Sequence, residues 1–144
     1  MFDSILSFQF ILEDIYLFSS LWMVVVILFV QLVHYPLFKY IPLDSLRQFS
    51  LDHQARISLL VVPAMLCEFF SLFFLMLVVK IPFFYVSFLI LVIIWLITFL
   101  VQVPIHRQLI SNPSLSLAVS LEKGNWFRTI LWCVKAIFII IYYI

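Results

Sequence analysis

The sequence predicts an all-α fold, a bundle of four helices that span a membrane. Two observations lead to this prediction. Of the 144 residues, 67% are hydrophobic and only 10% are charged, which leaves too little polar surface to cover a soluble domain. The hydrophobic residues also form long runs without the strict alternation of β-barrel strands. Such runs favour helices, because a helix satisfies its own backbone groups in lipid.

The predicted elements follow one another as a single domain. An amphipathic lead covers residues 1–14, and the four spans cover residues 15–38, 57–79, 83–103 and 126–144. Each span is long enough to cross about 30 Å of hydrocarbon at about 1.5 Å per residue. The second helix begins before the membrane, and Pro63 predicts a kink within it. Lys80-Ile81-Pro82 predicts a tight turn before the third span.

The segment before the fourth span predicts a separate helix. Residues 111–123 are expected to form a short helix at the membrane interface that starts after Asn112-Pro113. Gly124 is expected to end this helix, and Asn125 to cap the fourth span.

Basic residues predict the orientation in the membrane. Six of them lie in or beside the loops that follow the first and third spans: Lys39, Arg47, Arg56, Arg107, Lys123 and Arg128. The opposite side has only Lys80, together with an acidic lead. The excess of positive charge in cytoplasmic loops therefore predicts that both termini are non-cytoplasmic, and we expect a bacterial inner membrane.

Several kinds of chemistry find no support in the sequence. The single glycine argues against glycine-rich phosphate loops, and no nucleophile elbow is present. Cys67 and Cys133 form no CxxC pattern and are expected to be small buried residues. The partners that we expect are the lipid bilayer, an amphipathic small molecule, and a second copy or another membrane protein. We expect no nucleic acid.

Two charges lie deep within the predicted spans. Glu68 lies in the second span and Lys135 in the fourth, each about 15 Å from the same membrane face. Lone charges are costly at this depth, so we expect the two side chains to form a buried ion pair. This pair would either fix the register of the helices or bind substrate and move a proton.

Other polar side chains approach this site from the same side. Gln31 and His34 share one helix face, as do Gln102 and His106. We expect one shared cavity that opens toward the cytoplasmic leaflet, lined by Gln31, His34, Arg56, Glu68, Gln102, His106, Asn125 and Arg128. The candidate catalytic residues are His34, His106 and Glu68. The candidate ligand-binding residues are Gln31, Arg56, Gln102, Asn125, Arg128, Trp132 and Lys135.

The histidines raise the question of a metal or haem. His34, His53 and His106 come from three different helices at similar depth, and such histidines can form a metal or haem site. No Glu-x-x-His motif is present, which argues against a di-iron centre. His53 and Glu68 are about 22 Å apart along a straight helix and cannot bind one ion. A polar ligand pocket without a metal is the alternative.

Five motifs of this chain resemble those of a known protein family. They are Val-Gln-Leu-Val-His-Tyr-Pro-Leu-Phe at 30–38, His-x-x-Arg at 53–56, Val-Pro-Ala-Met-Leu-Cys-Glu at 62–68, Gln-Val-Pro-Ile-His at 102–106 and Asn-Trp-Phe-Arg-Thr-Ile-Leu-Trp at 125–132. In this order they resemble a family of small bacterial membrane proteins with four spans and no assigned function. The resemblance implies the same fold and, opposite Glu68, a conserved positive charge. The chain is more loosely similar to anthrone oxygenase-like membrane proteins, in size and topology only.

Two functions follow from these expectations. The first is a membrane oxidoreductase that acts on an amphipathic or aromatic ligand. Its polar residues would bind the head group, and its Phe and Trp side chains the apolar body. The second is a non-enzymatic membrane subunit, whose polar cluster stabilises the bundle and docks a partner protein. An absorbance spectrum and a metal measurement on purified protein separate these alternatives.

Overall fold

The computed structural model describes the backbone of residues 2–144 and the side chains from residue 6 onward, so part of the predicted lead lies outside the described side chains. The described chain is almost entirely helical, without strands, which confirms the predicted fold class. Four helices are long and apolar enough to cross a membrane. We name the helix of residues 2–40 α1, Leu43–Val79 α2, Pro82–Ser111 α3 and Leu115–Tyr143 α4.

The four helices alternate in direction. α1 packs against α2 and α4, and α3 also packs against α2 and α4, so neighbours in the chain are neighbours in space. The ends of α1 and α3 therefore meet the beginnings of α2 and α4 at one end of the bundle, which we call the polar end. At the other end Lys80 adopts a left-handed φ of 56°, which ends α2 and allows the predicted tight turn into α3 at Pro82.

Two of the helices contain a wider turn near the polar end. In α1 the α-helix Phe2–Phe29 continues as a π-helical turn at Val30–His34, and in α3 Pro82–Ile97 continues as a π-helical turn at Thr98–Gln102. In both helices a proline, Pro36 or Pro104, is the second residue after this turn. A proline has no N–H and its ring crowds the carbonyl four residues earlier, so the backbone widens there.

The fourth helix corrects a prediction. Residues 115–143 form one continuous helix that Ser114 caps through a hydrogen bond from the Leu117 N–H at 3.3 Å. Gly124 thus does not end an interfacial helix, and Asn125 lies inside α4. The glycine has a packing role instead, because a Cβ at this position would lie 2.9 Å from Nε2 of Gln102 in α3. The predicted spans were likewise shorter than the helices, which extend beyond the apolar runs.

Candidate functional site

The deep ion pair is present. Lys135 Nζ contacts Glu68 Oε1, and both side chains are fully buried. Ser20 in α1 completes the group: its Oγ donates to Glu68 Oε1 at 2.6 Å and accepts from Lys135 Nζ at 3.1 Å. The ammonium also lies 4.8 Å from the ring centroid of Tyr16 and 5.1 Å from that of Trp132. The prediction of a pair between the second and fourth helices is confirmed, and Ser20 adds a third helix to it.

A second polar group joins α1 to α4 nearer the polar end. Asn125 Nδ2 donates to Gln31 Oε1 at 2.9 Å, and Gln31 Nε2 donates to the carbonyl oxygen of Glu122 at 3.2 Å. Thr129 Oγ1 donates to the carbonyl oxygen of Asn125 at 3.1 Å. Arg128 Nη1 donates to Asn125 Oδ1 at 3.0 Å. The side-chain amides of Gln31 and Asn125 bond mainly within this group and join α1 to α4, and we call them the amide link.

A cavity of about 220 Å³ lies beside this link, between α1, α2 and α3. Its polar wall is formed by Tyr35, Gln54, Gln102, His106 and Arg128. Its deeper wall is apolar and includes Met23, Val26, Ile27, Val61 and Met65. The cavity is therefore amphipathic, with polar groups at one end and apolar side chains along the rest.

Several polar atoms at the polar wall are buried without a hydrogen-bond partner among the described residues. They are Nε2 and Oε1 of Gln102, Nδ1 of His106 and Nε of Arg128. Arg128 is only 7% exposed, and it forms no ion pair within the described part of the chain. A buried guanidinium without a carboxylate is costly, and so are unpaired amide groups. Oxygen atoms of a ligand at this wall would accept hydrogen bonds from the two donors, Gln102 Nε2 and Arg128 Nε.

Tyr35 and His106 form a pair at the same wall. The Tyr35 hydroxyl lies 3.1 Å from His106 Nε2, a hydrogen bond whose direction depends on the histidine tautomer. Tyr35 follows the π-helical turn of α1, and His106 lies one helical turn beyond the π-helical turn of α3. A tyrosine and a histidine in hydrogen-bond contact can exchange a proton with a neighbouring ligand.

The other two histidines lie on the far side of this wall. Nε2 of His34 and Nδ1 of His53 are 2.7 Å apart, and the rings of His53 and His106 stack with centroids 5.5 Å apart. A surface groove of about 370 Å³, separate from the cavity, is lined by His34, His53 and Arg56. The three predicted histidines thus gather, but His34 and His53 point nitrogen atoms at each other.

Metal binding was a hypothesis for these histidines. Within the described residues, no group of three or more His, Cys, Asp or Glu side chains has the arrangement that could hold a metal ion.

The expectation of one shared cavity is wrong. The structure divides the predicted residues among four places. The ion pair and its surroundings contain Glu68, Trp132 and Lys135, and the amide link contains Gln31 and Asn125. The cavity is lined by Gln102, His106 and Arg128, and the surface groove is lined by His34, His53 and Arg56. For Glu68 the physical reason is its distance along α2. Glu68 lies about 18 Å from the level of Arg56 at about 1.5 Å per residue, which is too far for one small cavity.

Sequence reasoning missed Tyr35 and Gln54 at the cavity, and also Ser20 and Thr129. A signal was present for three of them. Tyr35 lies four residues after Gln31, and Thr129 four residues after Asn125, so each shares a helix face with a predicted residue. Ser20 is a hydroxyl in an apolar run, where a polar group needs a partner.

Fold and composition define the class: this is an all-α integral membrane protein with four long apolar helices and an amphipathic cavity between them. Comparisons with protein-family models, with curated proteins and with solved structures find no match to this chain.

Proposed function

We propose that this protein binds an amphipathic small molecule inside the membrane and exchanges a proton with its head group. The observation that carries the proposal is the cavity wall at Arg128, where a buried cation and the unpaired amide of Gln102 line the polar end of an amphipathic cavity. The best match is a head group with carbonyl or anionic oxygen atoms, because these accept hydrogen bonds from guanidinium and amide groups. Aromatic carbonyl compounds such as quinones have this chemistry.

Within this proposal the polar residues have separate roles. Arg128 and Gln102 bind the oxygen atoms of the head group, while the pair of Tyr35 and His106 donates or accepts a proton. Reduction of a quinone to its quinol takes up two electrons and two protons, and the proton exchange is the part that side chains of this chain can perform. An oxidoreductase that acts on an aromatic ligand is therefore the enzyme class that we propose, with electrons supplied by a redox partner.

A titration tests the proposal. Purified protein in nanodiscs is titrated with a short-chain benzoquinone, and binding is followed by the quenching of tryptophan fluorescence and by the rise of the melting temperature. We expect saturable binding that Arg128→Gln weakens by about ten- to hundredfold, since a hydrogen bond to a charged group contributes about 1.5–3 kcal/mol.

The matched control is Arg107→Gln. Arg107 lies in α3 near the same end of the bundle but is exposed and does not line the cavity. It should leave the affinity unchanged. Equal affinity for wild type and Arg128→Gln, or no saturable binding by wild type, would refute the proposal.

A second function, a non-enzymatic subunit, is favoured by a different observation. The ion pair at Glu68 and the amide link at Asn125 bond mainly within themselves and join α1 to α2 and α4. Both groups are therefore accounted for by the stability of the bundle. This alternative leaves the unpaired atoms of the cavity wall without a role, so we rank it second.

A further inference from the structure

The cavity has an opening on the side of the bundle. Among the residues that line it, Ser58 and Val62 in α2 and Phe99 in α3 are exposed on the outer surface. Val62 is 49% exposed and Phe99 is 56% exposed. The exposed neighbours of these residues along both helices are apolar, among them Leu59, Leu66, Leu96 and Leu100. The opening therefore faces the hydrocarbon of the bilayer.

The π-helical turn of α3 explains why α2 and α3 separate at this level. α3 packs against α2 mainly through its segments Pro82–Ile97 and Val103–Ser111, on either side of the turn. The turn itself, Thr98–Gln102, packs against α4 instead, where Gly124 leaves room for the side chain of Gln102. The local shift of the backbone toward α4 leaves a gap beside α2.

The polar end of the cavity is closed. Tyr35 is only 4% exposed and contacts His106, and Gln54 Nε2 donates to the carbonyl oxygen of His106 at 3.4 Å. Tyr35 also belongs to an apolar cluster with Phe38, Leu46 and Leu109. A molecule from the aqueous phase would have to pass these packed side chains, whereas a molecule in the bilayer meets only the gap.

The size of the cavity also supports entry of the ligand from the bilayer. Its volume of about 220 Å³ is smaller than the roughly 300–1,000 Å³ of typical small-molecule sites. It has room for a ring-sized head group but not for a long chain. The apolar part of an amphipathic ligand would therefore remain in the gap and in the lipid beyond it.

We propose that the ligand of this cavity is a lipid-soluble molecule that reaches Arg128 from within the bilayer, through the gap lined by Ser58, Val62 and Phe99, and whose apolar chain occupies that gap when bound. This inference rests on the proposed function and adds the chemical class of the ligand and its route. The ligand class is a carbonyl-bearing or anionic ring with an alkyl or isoprenoid chain.

The test compares two probes in nanodiscs at equal concentration in the lipid phase. One is decylubiquinone, which has a ten-carbon chain, and the other is its ring without the chain. We expect wild type to bind the chain-bearing probe more tightly. Val62→Trp fills the gap and should weaken binding of that probe by about tenfold or more, because the indole would occupy the space that the chain of the ligand takes. The same substitution should change binding of the bare ring much less.

Leu66→Trp is the matched control, because Leu66 is an exposed apolar residue of α2 one helical turn from Val62 and does not line the cavity. It should leave both affinities unchanged. If wild type binds both probes equally and Val62→Trp has no effect on either, the side route is wrong while the proposed binding function stands. If wild type binds neither probe, the proposed function fails and the route fails with it. Melting temperatures confirm that each variant is folded.

Discussion

Arg128 shows how a single residue can distinguish a binding site from a structural contact. Its guanidinium is buried at the cavity wall, and within the described residues it donates a side-chain hydrogen bond to the neutral amide oxygen of Asn125 at 3.0 Å. Lys135, by contrast, is buried against a carboxylate and a hydroxyl. Both cations are buried, but only Lys135 is paired with a carboxylate within the described chain. The difference supports a ligand at Arg128 and a structural role at Lys135.

The ion pair between Glu68 and Lys135 gives a prediction about single residues. Glu68→Gln or Lys135→Met alone should lower the free energy of unfolding by about 3–5 kcal/mol, because each leaves one buried charge without its partner. The double variant should be less destabilised than either single variant, since it leaves no charge. Unfolding of the purified variants in detergent measures this. A double variant whose loss equals the sum of the two single losses would mean that the side chains act independently.

At the scale of the elements, the sequence predicted four helices well and their polar ends less well. Long apolar runs and the prolines that bound them were visible, so the number and order of the helices followed directly. The π-helical turns could not be predicted, because a proline indicates a disturbed helix but does not indicate whether the helix bends or widens. Gln102 lies in the π-helical turn of α3, and its amide approaches Gly124 of α4.

Gly124 illustrates a similar limit. A lone glycine between two polar segments usually indicates a helix end. Here it lies within α4 because Gln102 approaches closely from α3. Such a contact between distant segments cannot be read from local sequence.

The close approach of α3 and α4 can be tested at this glycine. In an unobstructed helix a change from glycine to alanine would stabilise the protein by about 0.5–1 kcal/mol. In Gly124→Ala the new methyl group would push the Gln102 amide aside, because that amide is the end of a flexible side chain. We expect little gain in melting temperature and weaker quinone binding. Lys123→Ala, at the neighbouring exposed position, should leave binding unchanged; a stabilised Gly124→Ala variant with normal affinity would contradict this packing argument.

The whole molecule is a bundle with an asymmetric charge distribution. Basic residues gather at the polar end, in or beside the connections from α1 to α2 and from α3 to α4. Both termini lie at the other end, because the four helices alternate in direction. The cavity is nearer the polar end, so the orientation decides from which leaflet the ligand is taken.

We expect the polar end to face the cytoplasm and both termini to face away from it. Two reporters fused after Ile144 test this orientation, one active only in the cytoplasm and one active only outside it. The second should be active and the first silent. The same two reporters fused after Lys39 in a truncated chain serve as the control and should give the opposite pattern. Activity of the cytoplasmic reporter at Ile144 would show that the bundle is inserted the other way.

The central claim is that an amphipathic ligand occupies the cavity between α1, α2 and α3, with its head group at Arg128. The most direct measurement is photo-crosslinking with an azide-bearing quinone in nanodiscs, followed by peptide mapping. We predict that the label lies mainly on residues 54–65 of α2 and 98–106 of α3, and that Arg128→Gln removes most of it. A label spread over the lipid-facing surface, or confined to the apolar groove between α1 and α2 near Phe18 and Leu59, and unchanged by Arg128→Gln, would contradict the claim.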